Sequence, residues 1–213
     1  MSRMSPETIA AGISHLRAAD PVMDRLIEQV GDFSLRLERD GFRMLVNSIL
    51  SQQISIHAAR AIRQRVESLV EPDKITPESF SRISVKKLRA AGVSSQKCTY
   101  LMDLTEKCLS GDVRTRRLSR LSDEEIVEQL VQVKGIGVWT AQMFLIFSLG
   151  RPDVLPVDDF GIRSALRNLY GLDELPDKAT SRRIGEPWRP YASLASWYCW
   201  RSHEVLKRQA LAK

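Results

Sequence analysis

Apolar residues recur at intervals of three and four along almost the whole chain, and this spacing predicts α-helices rather than strands. Between residues 42 and 50, for example, Phe42, Leu45, Val46 and Ile49 fall on one face of a helix. The alternation typical of a half-buried strand is hard to find, and no internal repeat of roughly 20 to 50 residues is visible. We therefore expect an all-α protein.

The chain has 213 residues, which is enough for one sizeable domain or two small ones. Its apolar stretches are all far shorter than the roughly 18 to 20 residues that cross a bilayer, so no membrane-spanning segment is predicted. The N-terminal residues lack the apolar core of a secretory signal, which favours a place inside the cell.

Charge and cysteine content narrow the possible functions. The 32 Lys and Arg residues exceed the 26 Asp and Glu residues, giving a formal net charge of +6. Such a balance is compatible with a nucleic-acid partner but does not establish one. Cys98, Cys108 and Cys199 show no C-x-x-C spacing, which excludes a disulfide framework and a four-cysteine zinc or iron–sulfur site.

Two glycines, Gly135 and Gly137, separate a capped helix that ends near Val131 from an apolar helix predicted over 138–149. Glycines two residues apart allow a tight turn with positive φ, so this segment predicts a helix-hairpin-helix. The glycines leave room for a phosphate, the N–H groups that begin the second helix can bind it, and Lys134 adds charge. The alternative is a glycine turn that only joins two packed helices.

The segment from Val133 to Arg163, VKGIGVWTAQMFLIFSLGRPDVLPVDDFGIR, resembles the helix-hairpin-helix and Gly/Pro/Asp (HhH-GPD) signature of the DNA glycosylase superfamily. The pairing of GIGVWTA with LPVDDFGIR is similar to its alkylated-base branch, the DNA-3-methyladenine glycosylase II type. The resemblance extends to 44–66 and 186–204, and it covers roughly residues 40 to 205.

The resemblance implies an all-α, two-lobed helix-hairpin-helix glycosylase fold with the active-site cleft between the lobes. Residues 36–112 are expected to form a helical lobe with a turn that wedges into DNA. Residues 113–172 are expected to form the helix-hairpin-helix lobe with the catalytic aspartate. Residues 1–35 and 173–213 would be terminal helices that close onto the lobes.

The resemblance also implies that Asp159 is the catalytic carboxylate, because it follows Trp139 by the 20 residues that are typical of the family. Breaking an N-glycosidic bond builds an oxocarbenium-like cation, which a carboxylate stabilises. A purine methylated at N3 or N7 is already cationic and leaves easily, so one carboxyl group suffices. Asp158 is the rival, and its ordinary interpretation is the N-cap of a helix over 160–170; the same cap is the alternative for Asp159.

Bifunctional members of the superfamily carry a lysine nucleophile where this chain has Trp139. The departure predicts a monofunctional hydrolase that leaves an abasic site. Trp139, Met143 and Trp197 are implied as pocket residues, with Trp139 stacking on a flipped cationic base. Each tryptophan also has an alternative as a core anchor.

The turn after residue 50 is implied to supply the side chain that fills the gap left by the flipped nucleotide. By position this is Gln53, with Ile54 beside it, and the choice between the two stays open; capping by Gln52 and Gln53 is the alternative. The full predicted DNA-binding set is Gln52, Gln53, Ile54, Ser55, Lys134, Gly135, Ile136, Gly137 and Thr140. No cofactor is expected to be required, although the resemblance implies a structural Na⁺ or K⁺ on the main-chain carbonyls of Val131, Val133 and Ile136.

We therefore expect a base-excision repair glycosylase that flips alkylated purines out of duplex DNA and hydrolyses their glycosidic bond. The alternatives are a glycosylase for uracil, hypoxanthine or an oxidised base, and a non-catalytic helix-hairpin-helix DNA-binding module. The expected partner is alkylated duplex DNA rather than a membrane, and the expected state is a monomer. The expected place is the cytoplasm with the nucleoid in a bacterium, or the nucleus in a eukaryote.

Overall fold

The computed structural model describes residues 4–115 and 118–211, with side chains up to residue 207. These residues form helices and no strand, so the all-α prediction is confirmed. Two compact units are present: the first contains residues up to Leu37 and from Leu145 onward, and the second spans Glu38–Phe144. In the described part of the chain, no helix is both long and apolar enough to cross a membrane.

The first unit contains five α-helices within its described residues. They are α1 (Pro6–Ala19), α2 (Pro21–Val30), α10 (Phe160–Tyr170), α11 (Lys178–Gly185) and α12 (Ala192–Leu211). The second unit contains seven within the residues described there. They are α3 (Gly41–Ser51), α4 (Ile56–Ser68), α5 (Pro77–Ser81), α6 (Val85–Ala90), α7 (Ser95–Ser110), α8 (Asp123–Leu130) and α9 (Val138–Phe144).

Asp20 organises the core of the first unit, where α1, α2, α10 and α12 pack around the fully buried Trp188. Its main-chain N–H closes the end of α1, and its carboxylate caps α2 through the N–H of Val22 at 2.8 Å. The same carboxylate accepts hydrogen bonds from Trp188 Nε1 at 2.9 Å and from the Tyr170 hydroxyl. Burial, and then the contact with Asp20, raises the pKa of Tyr170 far above its usual value. A buried carboxylate with this many donors is satisfied rather than destabilising.

In the second unit α3 packs against α4, α7 and α9. Its predicted apolar face is buried: Phe42, Leu45, Val46 and Ile49 are at most 2% exposed. The spacing of Ser122 and Glu125 predicts a capping box before α8, and the structure confirms it. Ser122 accepts from the N–H of Glu125, while the Glu125 carboxylate accepts from the N–H of Ser122.

The structure divides the chain at other points than the sequence suggested. No boundary lies near residue 113, because the described residues on both sides of it belong to the second unit, where Val113 and Leu118 are 1% and 0% exposed. The change of unit falls at residues 144 and 145, where α9 passes into a π-helix over Leu145–Leu149. The predicted helix over 138–149 is therefore an α-helix followed by a π-helix. The hairpin belongs to the unit of 38–144, and Asp159 belongs to the unit that also holds the terminal helices.

Candidate active site and DNA interface

Asp159 is the N-cap of α10. Its backbone is extended, with φ −70° and ψ 122°, and its Oδ1 accepts the N–H of Ile162 at 2.9 Å. The side chain is half-buried. The N-terminal end of a helix carries partial positive charge, which attracts a carboxylate placed there. The capping interpretation of Asp159 is thus confirmed, and the cap itself orients the carboxylate.

Asp158 does not cap the helix, so that prediction is wrong. The structure leaves Asp158 exposed and places its Oδ1 2.7 Å from Nζ of Lys178 at the start of α11. Only the residue directly before the first helical turn points its side chain back at the free N–H groups, and α10 begins at Phe160, one residue later than a cap at 158 would require.

Trp200 is a site residue that the sequence interpretation missed. Its indole Nε1 donates to Asp159 Oδ1 at 2.9 Å, and its ring lies 5.5 Å from that of Phe147. One turn further along α12, Nε2 of His203 is 2.9 Å from the carbonyl oxygen of Gly161. The C-terminal helix therefore fixes both the carboxylate and the first turn behind it. The available signal was the spacing of Trp200 by three residues from Trp197, which places it on a neighbouring face of the same helix.

Trp197 is 6% exposed and packs in the core of the first unit, with its ring 4.8 Å from that of Phe33. The guanidinium carbon of Arg201 lies 5.2 Å from the centre of the Trp197 ring, a cation–π distance. These contacts account for Trp197 as a core anchor, and its pocket role stays a prediction. Met143 on α9 is similarly 7% exposed, so a pocket role for it also stays a prediction.

The two hairpin glycines have different reasons to be glycine. Gly135 has φ +79°, and a Cβ added to it would lie 2.1 Å from the ring of Tyr100 on α7. Gly137 lacks a positive φ, and a Cβ there would meet no described atom within 4 Å. The predicted tight turn thus rests on Gly135 alone. Nothing inside the described fold requires glycine at 137. A glycine at such an open position is what we expect where an external backbone approaches closely.

Asp103 on α7 holds the hairpin through Lys134. Its Oδ2 accepts the main-chain N–H of Lys134 at 2.8 Å, while Nζ of Lys134 lies 3.7 Å and Nζ of Lys107 3.2 Å from Oδ1. Burial alone would raise the pKa of Asp103, but these hydrogen bonds and cations together lower it. The Lys134 side chain remains 65% exposed and keeps an ammonium at the surface, whereas its N–H is no longer available to a ligand.

Two of the predicted DNA-contacting side chains are buried. Ile136 is 4% exposed and Thr140 is 3% exposed, so neither side chain is at the surface. The first residues of α9 do show exposed side chains, with Val138 at 49% and Trp139 at 40%. A contact at Ile136 or Thr140 would therefore have to come from the main chain.

The turn between α3 and α4 lies beside the hairpin in the second unit. Gln52 Nε2 donates to the carbonyl oxygen of Gly135 at 2.9 Å, so its side chain joins the turn to the hairpin instead of capping a helix. Gln53 has φ 54°, Ile54 is 37% exposed, and Ser55 caps α4 through the N–H of Ala58 at 3.2 Å. A cavity of about 500 Å³ opens at this place. Its lining includes Gln52, Gln53, Lys97, Tyr100, Gly135 and Trp139.

One observation bears on the predicted monovalent cation. The Val133 carbonyl accepts the N–H of Ile136 at 3.0 Å, and a carbonyl oxygen with one hydrogen bond keeps a second lone pair for a ligand. Among the described residues no group of three or more His, Cys, Asp or Glu side chains is placed to hold a metal. The free lone pair on the Val133 carbonyl is what a main-chain cation site at the hairpin would use, and that site stays a prediction.

Known proteins share the sequence and the fold of this chain. Residues 46–190 match the model of the HhH-GPD superfamily of base excision DNA repair proteins. The chain is 35% identical over 196 residues to DNA-3-methyladenine glycosylase 1 of Schizosaccharomyces pombe, covering 90% of this chain and 86% of that protein.

Two solved structures are similar over nearly their whole length. The Schizosaccharomyces pombe 3-methyladenine DNA glycosylase in complex with abasic DNA has a TM-score of 0.83 at 35% identity, covering 91% of this chain and 97% of that one. The DNA-3-methyladenine glycosidase of Bacillus halodurans has a TM-score of 0.81 at 38% identity, covering 95% and 91%. The chain therefore belongs to the HhH-GPD superfamily of base excision DNA repair proteins.

Proposed function

We propose that this protein is a monofunctional DNA glycosylase that flips alkylated purines of the 3-methyladenine and 7-methylguanine type out of duplex DNA and hydrolyses their glycosidic bond. The observation that carries the proposal is the Asp159 carboxylate, held by Ile162 N–H and Trp200 Nε1 at 2.9 Å each. The two relatives described above are named for 3-methyladenine and are 35% and 38% identical to this chain over the aligned residues.

Asp159 stabilises the cation that forms at the sugar as the bond to the base breaks. At about 4 Å and an effective dielectric constant near 20, opposite charges attract by roughly 4 kcal/mol. If realised in the transition state alone, this amounts to about three orders of magnitude in rate. The departing base takes the electrons of the glycosidic bond, water adds a hydroxyl to the sugar carbon, and the water's second proton leaves through Asp159 or solvent.

The leaving group needs no acid because a purine methylated at N3 or N7 leaves as a neutral base. This is why one carboxylate is enough for an alkylated purine, whereas ordinary glycosidases need two carboxyl groups. Trp139 offers an exposed indole that can stack on the flipped base, with a cation–π contribution of roughly 0.5 to 2 kcal/mol for a cationic one. An indole forms no Schiff base, so strand cleavage is not part of the reaction.

Binding to DNA is independent of sequence in this proposal. The open space at Gly137 lets a phosphate approach the main chain at the start of α9, and the exposed ammonium of Lys134 lies next to it. The turn of Gln53 and Ile54 fills the gap in the base stack. The partner is duplex DNA with alkylated bases, met in the bacterial cytoplasm or the eukaryotic nucleus by a monomeric enzyme. A Na⁺ or K⁺ at Val131, Val133 and Ile136 would stiffen the hairpin.

The test is base release from DNA methylated by dimethyl sulfate, with free purines quantified by chromatography. Asp159→Asn is the informative variant because asparagine caps a helix as well as aspartate does, so α10 keeps its cap while the charge is lost. Asp158→Asn is the matched control, since it removes the adjacent exposed carboxylate. We expect release by the wild type and by Asp158→Asn, a fall of about three orders of magnitude in Asp159→Asn, and strand breaks only after alkali.

Other outcomes point to the alternatives. Release of uracil, hypoxanthine or oxidised bases in place of methylpurines would move the substrate class. Binding to DNA without release of any base, unchanged by Asp159→Asn, would identify a binding module. Strand breaks before alkali would contradict the monofunctional mechanism.

A further inference from the structure

The turn between α3 and α4 contains a strained residue. Gln53 has φ 54° and, in the part of the chain that the structure describes, it is the one non-glycine residue in the left-handed region. This conformation is unfavourable for a residue with a Cβ, and it persists only where neighbouring groups hold it. The strain is therefore evidence of contacts that fix the turn.

Lys97 on α7 makes the strongest of these contacts. Its ammonium donates to the main-chain carbonyl oxygen of Leu50 at 2.9 Å and to that of Gln52 at 2.6 Å. Both carbonyls lie at the C-terminal end of α3, where the helix dipole favours a cation. Partial burial lowers the pKa of Lys97, as expected for an ammonium partly withdrawn from water.

A second contact holds Gln52 through its side chain. The Gln52 side chain donates to the carbonyl of Gly135 in the hairpin at 2.9 Å. Gln52 is thus tied to α7 through its carbonyl and to the hairpin through its amide, and the strained Gln53 follows directly. Ile54, the next residue, is 37% exposed. These contacts fix the main chain at Gln52, directly before the two side chains that are predicted to enter DNA, Gln53 and Ile54. They leave those two side chains unconstrained by the same hydrogen bonds.

We propose that Lys97 is a positioning residue for this wedge turn: by binding the carbonyls of Leu50 and Gln52 it presets Gln53 and Ile54 for insertion into the gap in the base stack. The proposal rests on the proposed function. Without the ammonium the turn relaxes toward negative φ, and each insertion must then order it again. That ordering reduces affinity for DNA with a gap in the stack, while affinity for intact duplex depends on other contacts.

The experiment compares two dissociation constants for each variant. One is for a duplex with a tetrahydrofuran abasic analogue, whose stack has a gap, and the other is for the same duplex without it. The variants are Lys97→Met, the conservative Lys97→Arg, and Lys86→Met, which removes an equal charge from an exposed position on α6. Hydrogen exchange of a peptide covering residues 50–56 reports directly on the turn.

We expect the wild-type preference for the abasic duplex to fall about tenfold in Lys97→Met, the size of one lost charge-assisted hydrogen bond. Exchange in the 50–56 peptide should become faster in the same variant. Lys97→Arg should keep most of the preference. Lys86→Met should weaken both duplexes equally, since loss of charge alone does not distinguish them. If Lys97→Met does not fold, Lys97→Gln, which retains a neutral donor, is measured in its place.

An unchanged preference for the abasic duplex in Lys97→Met would overturn the proposal. So would a loss of that preference in Lys86→Met as large as the loss in Lys97→Met. A wild type without any preference for the abasic duplex would overturn it too, because there would be no wedge to position. That result is distinguishable from failure of the proposed function, which is measured separately as release of methylpurines from methylated DNA.

Discussion

Exchanging each hairpin glycine for alanine in turn should show that Gly135 matters for stability and Gly137 for DNA binding. In Gly135→Ala the new Cβ would lie 2.1 Å from Cδ2 and 2.4 Å from Cε2 of Tyr100, and the residue would have to keep φ +79°. The left-handed conformation costs an alanine roughly 1 to 2 kcal/mol, and forcing a methyl group into a packed contact costs about 1 to 3 kcal/mol more. We expect the free energy of unfolding to fall by roughly 2 to 5 kcal/mol, which lowers Tm by about 4 to 20 °C for a chain of this size.

Gly137→Ala is the matched control, because its Cβ meets nothing within 4 Å and its φ is not in the left-handed region. Its free energy of unfolding should change by less than about 1 kcal/mol. Affinity for undamaged duplex DNA should nevertheless fall, since the methyl group occupies the space through which we propose that a phosphate approaches. Thermal unfolding and a fluorescence-anisotropy titration of labelled duplex measure the two effects.

The double variant Gly135→Ala/Tyr100→Ala completes the test. Removing the ring relieves the steric contact but not the backbone strain, so a coupling energy of about 1 to 3 kcal/mol is expected between the two sites. An unchanged Tm in Gly135→Ala, or additive effects in the double variant, would refute the assignment of the Tyr100 contact. Wild-type DNA affinity in Gly137→Ala would refute the argument from open space.

Three further variants test other contacts. Trp200→Phe keeps an aromatic ring beside Phe147 but removes the hydrogen-bond donor to Asp159. The single-turnover rate of base release should therefore fall about tenfold, while the Kd for duplex DNA stays unchanged. An unchanged rate would show that the indole does not orient the carboxylate. Asp20→Ala leaves Trp188 Nε1 and the Tyr170 hydroxyl without their acceptor and removes the cap of α2. Urea unfolding should therefore show a loss of roughly 3 to 5 kcal/mol. A loss below about 1 kcal/mol would contradict the central role of this carboxylate. The pKa of Asp103 is lowered from 3.8, so its contribution to stability is present above pH 3.8 and is lost as the pH falls through the folded-state pKa. Asp103→Asn should therefore flatten the decline in Tm below about pH 4. A decline identical to that of the wild type would show that another carboxylate dominates.

Local features of this fold were predictable from the sequence because they depend on neighbouring residues only. The face of α3 with Phe42 and Ile49, and the capping box of Ser122 and Glu125, follow from spacing within one or two turns. The division into units was not predictable in this way. The apolar pattern over 138–149 continues without interruption, whereas the change from α9 to a π-helix at Leu145 is set by packing that spacing alone does not encode.

The same distinction between local and long-range information applies to the candidate site. The hairpin and the position of Asp159 carried motifs that could be matched, but the roles of the tryptophans on α12 could not. Trp197 and Trp200 differ by three residues, and either can point at the start of α10; only packing buries the first against Phe33 and brings the second to Asp159. The hairpin glycines present the same problem, because a sequence shows two identical residues while the structure shows one forced by Tyr100 and one with open space.

The identity of the capping residue explains why one carboxylate can serve both folding and chemistry. A cap fixes the side chain through a main-chain N–H whose position the helix itself determines, so Asp159 is oriented by α10 before any substrate binds. The indole of Trp200 adds a second donor to the same oxygen, which limits rotation of the carboxylate about its own bond. Orientation of this kind contributes to catalysis because the group does not have to be ordered in the transition state. A stabilising local interaction at Asp159 is thus part of the proposed active site rather than an alternative to it.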